Sequence, residues 1–206
     1  MSTDELTGYM LDTAEMIIRV AERLDTERAG VFLSELLSGR RIYVTGAGRS
    51  GLVAKAFALR LMHLGFTSYV IGETITPAFG SEDMLVVFSG SGETNSVVNA
   101  AEKVRDLGGW SCLITANPQS HAAELVDHTI DLGESSGVAE DIPHEFEVRQ
   151  ITGQYRSVQV PAGRGSAFEL AALVFSDAVI SALMEARHLT ADEVRKKFSD
   201  RFTTMQ

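Results

Sequence analysis

The sequence predicts an α/β fold in which a parallel sheet carries helices on both faces. Two observations support this prediction: short apolar runs typical of buried strands, and helical segments that lie between most of them. The chain has 206 residues, 45% of them hydrophobic, which is enough for one sizeable core and too little for two full domains. The predicted strands are residues 41–45, 68–71, 84–88, 110–115 and 128–132.

The helices are predicted from apolar residues at helical spacing. Two precede the first strand, and Gly39 is placed to end the second of them. The predicted helices are residues 4–24, 27–38, 52–64, 95–107, 120–126, 167–186 and 190–198. We therefore expect a single domain, whose parts are N-terminal helices (1–39), an αβα core (40–132), an irregular loop (133–165) and C-terminal helices (166–206). An irregular stretch of that length is usually functional, disordered or contributed to a neighbouring subunit.

Composition excludes several classes of protein. The net charge of −10 and the pI near 4.9 argue against a nucleic-acid-binding surface. The N-terminus does not have the pattern of a signal peptide, and apolar runs long enough to suggest a membrane protein are not found. Cys112 is the single cysteine, so an internal disulfide is impossible, and we expect a buried thiol. These features favour the cytoplasm.

The most informative segment follows the third predicted strand. There Ser89, Ser91 and Thr94 alternate with Gly90 and Gly92, and a helix follows at once. Three hydroxyls, close backbone approach at glycine and the unpaired N–H groups of a helix start together predict a phosphate site that needs no lysine. A Ser/Gly-rich turn with a serine N-cap is the simpler alternative, but capping needs fewer hydroxyls and glycines.

A second glycine loop, Gly-Ala-Gly-Arg-Ser-Gly at residues 46–51, follows the first strand. Alone it matches the dinucleotide fingerprint, and Glu73 at the end of the second strand is a candidate ribose ligand. That interpretation does not explain the hydroxyl-rich loop at Ser89, and the spacing to Glu73 exceeds the usual ~20 residues. Nicotinamide binding is therefore the less favoured alternative.

Together the two loops resemble the ligand loops of the sugar isomerase (SIS) domain. Three further strings resemble the 6-phospho-3-hexuloisomerases within that family: FALRLMHLGF at 57–66, GETITP at 72–77 and GSAFE at 165–169. The resemblance covers roughly residues 40 to 185. It implies a flavodoxin-like three-layer αβα sandwich with a five-stranded parallel sheet, assembled as a homotetramer. It also implies interconversion of 3-hexulose 6-phosphate and fructose 6-phosphate, without metal or organic cofactor.

The resemblance also implies roles for individual residues. Ser89, Ser91 and Thr94 match the positions that hold the substrate phosphate, with the loop shaped by Gly90, Gly92 and Glu93. Gly48, Arg49 and Ser50 match first-loop positions that face the sugar phosphate. Glu169 matches the carboxylate proposed as catalytic base, and Arg49 is the candidate to stabilise the intermediate.

The chemistry of carbonyl transfer supports Glu169 from the residues themselves. One base must take a proton from carbon and return it to the neighbouring carbon through an enediolate. A carboxylate at the start of an apolar helix has its pKa raised by partial desolvation, which suits that task. Backbone amides of the first loop or Arg49 would stabilise the enediolate. The simpler interpretation of Glu169 is a first-turn glutamate favoured by the helix dipole.

Two segments depart from the hexuloisomerase pattern. A C-terminal string that usually carries a histidine is Val-Arg-Lys-Lys-Phe-Ser-Asp at 194–200 here, and Pro-Ala-Gly-Arg at 161–164 lies in a longer loop. Arg164 is a candidate extra cation for the substrate. Two alternatives to hexulose-phosphate isomerisation stay open: another substrate, such as arabinose 5-phosphate, and a non-catalytic phosphosugar sensor. A sensor would not need a base at Glu169.

Overall fold

The computed structural model describes residues 3–133, 145–154 and 166–189, which form a three-layer αβα sandwich. Five strands make up the middle layer: β1 (Ile42–Gly46), β2 (Ser68–Val70), β3 (Met84–Phe88), β4 (Trp110–Thr115) and β5 (His128–Asp131). The helices are α1 (Thr3–Arg23), α2 (Thr26–Leu37), α3 (Gly48–His63), α4 (Asn95–Asp106), α5 (His121–Leu125), α6 (Phe146–Thr152) and α7 (Ala167–Ala186). The α/β prediction is confirmed.

The sheet is parallel throughout and has the order β2-β1-β3-β4-β5. The strand predictions were right to within one residue at each end, because buried parallel strands are marked by continuous apolar runs. β1 and β3 are neighbours, and Gly46 lies opposite Phe88 in their register. The loops that follow these two strands therefore emerge side by side at the carboxyl edge of the sheet, where ligands of open α/β folds bind.

Each face of the sheet is covered by a different set of helices. Alternate strand residues such as Ile42 and Val44 pack with buried residues of α1, α2, α3 and α7 in the larger core. Tyr43 points to the opposite face, where it packs in a smaller core with residues of α4 and α5. This alternation follows from the period of two along a strand.

Two helices differ from the sequence-based expectation. α3 begins at Gly48 rather than Leu52, so four of the six residues of the first glycine loop are already helical. The glycines that suggested a loop also serve close helix–strand packing, since a Cβ at Gly51 would lie 2.7 Å from the carbonyl oxygen of Gly46. The stretch 133–165, expected to be irregular, contains α6 at Phe146–Thr152. The predicted helix 190–198 and the segments 161–164 and 194–200 lie outside the described residues.

α7 is the helix in the described part of the chain that is long and apolar enough to cross a membrane. Half of that stretch is buried inside the fold, as expected for a core helix. Phe175, Ile180 and Leu183 belong to the larger core. The high apolar content of α7 is therefore explained by its place in the sandwich, and a cytoplasmic location stays a prediction.

Candidate active site

The three segments predicted to form the site meet at the carboxyl edge of the sheet. The first turn of α3, which follows β1, carries Arg49. The hydroxyl-rich loop follows β3, and the start of α7 carries Glu169. The hydroxyl-rich loop packs closely against the start of α7. A Cβ at Gly90 would lie 3.0 Å from the ring of Phe168, the neighbour of Glu169. The fold thus brings residues 49, 90 and 168–169 into one region.

Two of the three hydroxyls of the second loop, those of Ser89 and Ser91, accept hydrogen bonds from backbone N–H groups of the loop. The backbone N–H of Gly92 donates to Ser89 Oγ (3.0 Å), and that of Glu93 donates to Ser91 Oγ (3.2 Å). Thr94 is the N-cap residue of α4 and is buried. Because Ser89 and Ser91 use an oxygen lone pair as acceptor, each hydroxyl keeps its own proton to donate to an anion.

The glycines of this loop are required by close packing as well as by backbone conformation. Gly92 has φ +65°, and a Cβ there would overlap Ser120 Oγ. We expected its amide to face a bound group, whereas here that amide is spent on Ser89 Oγ. Hydrogen bonds within the loop therefore use the amides of Gly92 and Glu93, and the hydroxyls of Ser89 and Ser91 are the groups left to donate to a ligand.

The carboxylate of Glu93 is hydrogen-bonded to the start of α5. Its carboxylate accepts a hydrogen bond from the backbone N–H of His121 (2.9 Å) at the start of α5. Asn117 Nδ2 donates to the carbonyl oxygen of Ser91 (3.2 Å) from the same side. Both contacts anchor the loop to the β4–α5 connection, which agrees with the shaping role expected for Glu93.

The first loop combines a glycine with positive φ and a buried serine. Gly48 has φ +58°, and a Cβ there would lie 2.7 Å from the ring of Phe146 in α6. Ser50 lies in the first turn of α3 and is 8% exposed. Only glycine combines this backbone conformation with so close an approach. A glycine is therefore required at position 48 by the packing alone, in addition to its expected proximity to substrate.

Arg49 joins the first loop to the start of α7. Its guanidinium donates to Ser166 Oγ (2.5 Å) and lies 3.3 Å from a carboxylate oxygen of Glu169. The Glu169 side chain is 21% exposed. Burial raises the pKa of Glu169 above its ordinary value, while the positive charge of Arg49 opposes that rise. The pair thus places a carboxylate of increased basicity beside a guanidinium group.

The sequence analysis missed Arg149. This residue of α6 is 9% exposed, its guanidinium lies over the ring of Phe146, and its Nη2 donates to Thr94 Oγ1 (3.2 Å). An arginine in a polar, weakly periodic stretch carries no local signal of burial. We had considered Arg164 as an extra cation, but that residue lies outside the described segments.

Neither a metal site nor a ribose site is supported by the part of the chain that the structure describes. Between residues 3 and 189, leaving out the two undescribed gaps, there is no group of three or more His, Cys, Asp or Glu residues placed to hold a metal ion. Glu73, the residue considered as a ribose ligand, forms an exposed ion pair with Lys55 (2.6 Å). That pair stabilises the end of β2 against α3 and does not require a nucleotide.

Comparison with known proteins places this arrangement in a family. Residues 35–140 match the SIS domain model. The 3-hexulose-6-phosphate isomerase of Bacillus subtilis is 36% identical over 186 residues, covering 90% of this chain and 93% of that protein. The one from Mycobacterium gastri is 34% identical, covering 93% and 88%. A crystal structure of a hypothetical protein from Methanococcus jannaschii is similar as well, with TM-score 0.72 and 30% identity, covering 91% of this chain and 96% of that one. That structure was described as inferring a molecular function of 3-hexulose-6-phosphate isomerase. The chain therefore belongs to the SIS domain family.

Proposed function

We propose that this protein is a phosphosugar isomerase that interconverts 3-hexulose 6-phosphate and fructose 6-phosphate. The observation that carries the proposal is the Arg49–Glu169 pair at 3.3 Å, on elements that pack against the hydroxyl-rich loop. A sensor would need the hydroxyls but not a partly buried carboxylate beside a cation. The names of the Bacillus subtilis and Mycobacterium gastri relatives support the choice of substrate.

In the proposed mechanism Glu169 is the base. Its carboxylate takes the proton from C2 of 3-hexulose 6-phosphate, and the electron pair of that C–H bond forms the C2–C3 double bond of an enediolate. The same proton, or one from solvent, is then delivered to C3, and the carbonyl is re-formed at C2 after a proton moves between the two oxygens. The Glu169 pKa, raised by burial, makes this carboxylate a stronger base than an exposed glutamate.

Arg49 has two tasks in this mechanism. Its guanidinium stabilises the negative charge that develops on the enediolate oxygens. Its hydrogen bond to Ser166 Oγ fixes the side chain at the start of α7, so the cation is positioned before substrate binds. Ser89, Ser91 and Thr94 hold the phosphate, and Ser50 with Gly48 lines the sugar side.

The experiment that tests the function is proton NMR of the purified protein with candidate sugar phosphates. We expect fructose 6-phosphate to be converted to its 3-keto isomer and back, without added metal or nucleotide. Conversion of arabinose 5-phosphate instead would keep the isomerase chemistry and change the substrate. A protein that binds sugar phosphates tightly and isomerises none of them would favour the sensor and contradict the proposal.

Removing a loop hydroxyl should weaken binding of the phosphate. We expect Ser91→Ala and Thr94→Val each to cost about 1.5–3 kcal/mol of binding free energy for fructose 6-phosphate, the usual range for a hydrogen bond to a charged group. Isothermal titration calorimetry measures the change. Ser181→Ala, which removes an exposed hydroxyl from α7, is the control. Equal affinity of the wild type for fructose and fructose 6-phosphate would contradict this assignment.

We also propose a homo-oligomer, with a tetramer as the expected state. α1 buries Met16 and Val20 against the core, yet it also exposes apolar residues: Leu6, Tyr9, Met10, Leu11 and Ile18. Met10 and Leu11 are 67% and 60% exposed. Several exposed large apolar residues on a helix that already packs against its own core are typical of a subunit interface.

Charged substitutions at these exposed apolar positions of α1 should dissociate the oligomer. We expect Met10→Glu combined with Leu11→Glu to lower the mass measured by light scattering at micromolar concentration, because a buried charge opposes association. Leu107→Glu is the control, since Leu107 is similarly exposed (51%) at the end of α4, on the other side of the sheet. A wild type that is already a monodisperse monomer would contradict the assembly.

A further inference from the structure

α6 lies across the two ligand loops and contacts both. At the first loop, the ring of Phe146 packs so closely on Gly48 that a Cβ there would lie 2.7 Å from Phe146 Cε2. Beyond the second loop, Asn95 Nδ2 donates to Glu145 Oε1 (2.8 Å), which joins the residue before α6 to the start of α4. The helix is therefore positioned by contacts with the site itself.

Arg149 is the cation that this helix brings to the second loop. It follows Phe146 by three residues, so both lie on the same side of α6, and the guanidinium carbon lies 5.9 Å from the centroid of the ring. Its Nη2 donates to Thr94 Oγ1, one of the three hydroxyls assigned to the phosphate. The hydroxyl-rich loop itself, residues 89–95, contains neither lysine nor arginine.

Arg49 and Arg149 lie beside different parts of the proposed site, one near Glu169 and the other near Thr94. Arg49 is engaged at the start of α7 with Ser166 and Glu169, where the reacting carbons would lie. A phosphate oxygen bound to Thr94 Oγ1 would lie no more than about 6 Å from Arg149 Nη2, given one further hydrogen-bond length. In a site shielded from water, a cation at that distance attracts a dianion much more strongly than hydroxyls do.

We propose that Arg149 is a substrate-binding residue that supplies positive charge to the phosphate end of the site and selects for dianionic phosphate esters. The inference rests on the proposed phosphosugar function and adds a contact outside the hydroxyl-rich loop. Arg149 acts on binding rather than on the proton transfer. Its contribution is the same in ground state and transition state, so it lowers KM and leaves kcat unchanged.

The test compares Arg149→Gln and Arg149→Lys with the wild type, using fructose 6-phosphate as the probe. We expect Arg149→Gln to raise Kd and KM about 10- to 100-fold, as for loss of a charge-assisted hydrogen bond, with kcat close to that of the wild type. The dependence of log Kd on log salt concentration should flatten in Arg149→Gln and stay near that of the wild type in Arg149→Lys.

Two controls separate this role from a structural one. Phe146→Ala loosens the packing of α6 on Gly48 but keeps the guanidinium, so its salt dependence should match that of the wild type. Arg105→Gln removes an exposed positive charge from the last turn of α4 and should leave Kd unchanged. If Arg149→Gln does not fold, Arg149→Lys decides: a Kd within about tenfold of the wild type supports the inference, and loss of detectable binding overturns it.

The outcomes distinguish the inference from the function on which it rests. A wild-type protein that binds no sugar phosphate overturns the proposed function. A wild type that binds fructose 6-phosphate, with Arg149→Gln binding equally well, overturns only the role of Arg149. A loss of affinity with an unchanged salt dependence likewise overturns it, because that result assigns Arg149 to the support of the loop.

Discussion

Glu169→Gln should retain sugar-phosphate binding and lose about 10²–10⁴-fold in kcat, the range attributed to general-base catalysis. The amide has nearly the same shape as the carboxylate and leaves the loop hydroxyls in place, but it cannot accept a proton from carbon. Calorimetry with fructose 6-phosphate measures the binding, and proton NMR measures the turnover. The combination of near-normal affinity with lost turnover distinguishes a base from a residue that only shapes the site.

The control for Glu169→Gln is Glu185→Gln, an exposed glutamate near the other end of α7. It should leave both binding and turnover unchanged. The wild type in D₂O should incorporate deuterium at the carbon that accepts the proton, to the extent that Glu169 exchanges with solvent. A Glu169→Gln variant that turns over at nearly the wild-type rate would reduce Glu169 to a residue of the helix start.

Arg49→Met should lower kcat about 10²–10³-fold and move the acid limb of the pH–rate profile to higher pH. The first effect is loss of a preorganised group that stabilises developing negative charge. The second follows from the pKa of Glu169, which burial raises and Arg49 lowers. Removing Arg49 leaves the raising effect unopposed, so the pKa rises further. Because the base is active only when ionised, activity then begins at a higher pH.

The measurement is kcat against pH for both proteins. Arg60→Met is the matched control, since Arg60 lies on the same helix and pairs with Asp177 (3.3 Å) away from the site. It should reproduce the wild-type profile. An acid limb that stays in place or moves to lower pH in Arg49→Met would show that Arg49 does not act on the titration of Glu169.

Local sequence patterns were sufficient to predict most strands and helices of the sandwich. The strands were predicted to within one residue because each is a short, mostly apolar run, and the central strand β3 is buried along its whole length. α7 was predicted with its observed bounds for the related reason that its apolar content exceeds what a surface helix carries. The start of α3 was wrong by four residues, since glycines that permit close packing of a helix on a strand have the same local pattern as glycines of a loop.

The candidate site could be predicted only in parts. The hydroxyls of residues 89–94 and Glu169 as candidate base were predicted from the sequence, the latter with help from a family resemblance. The sequence also suggested that backbone amides of the second loop would face the ligand. The structure shows the Gly92 amide bonded to Ser89 Oγ instead. Such a choice between donors depends on loop conformation, which composition does not specify.

By itself the sequence determined the class of fold, the two loops that face the carboxyl edge of the sheet and the chemistry that those loops offer. The tertiary structure decided which charges meet which loop. Ser166, the hydrogen-bond partner of Arg49, lies 117 residues further along the chain, and Arg149 reaches Thr94 across 55 residues. Periodicity and motif spacing describe neighbours in sequence. Contacts over such separations arise only when the strands and helices pack, and they place one arginine beside Glu169 and the other beside Thr94.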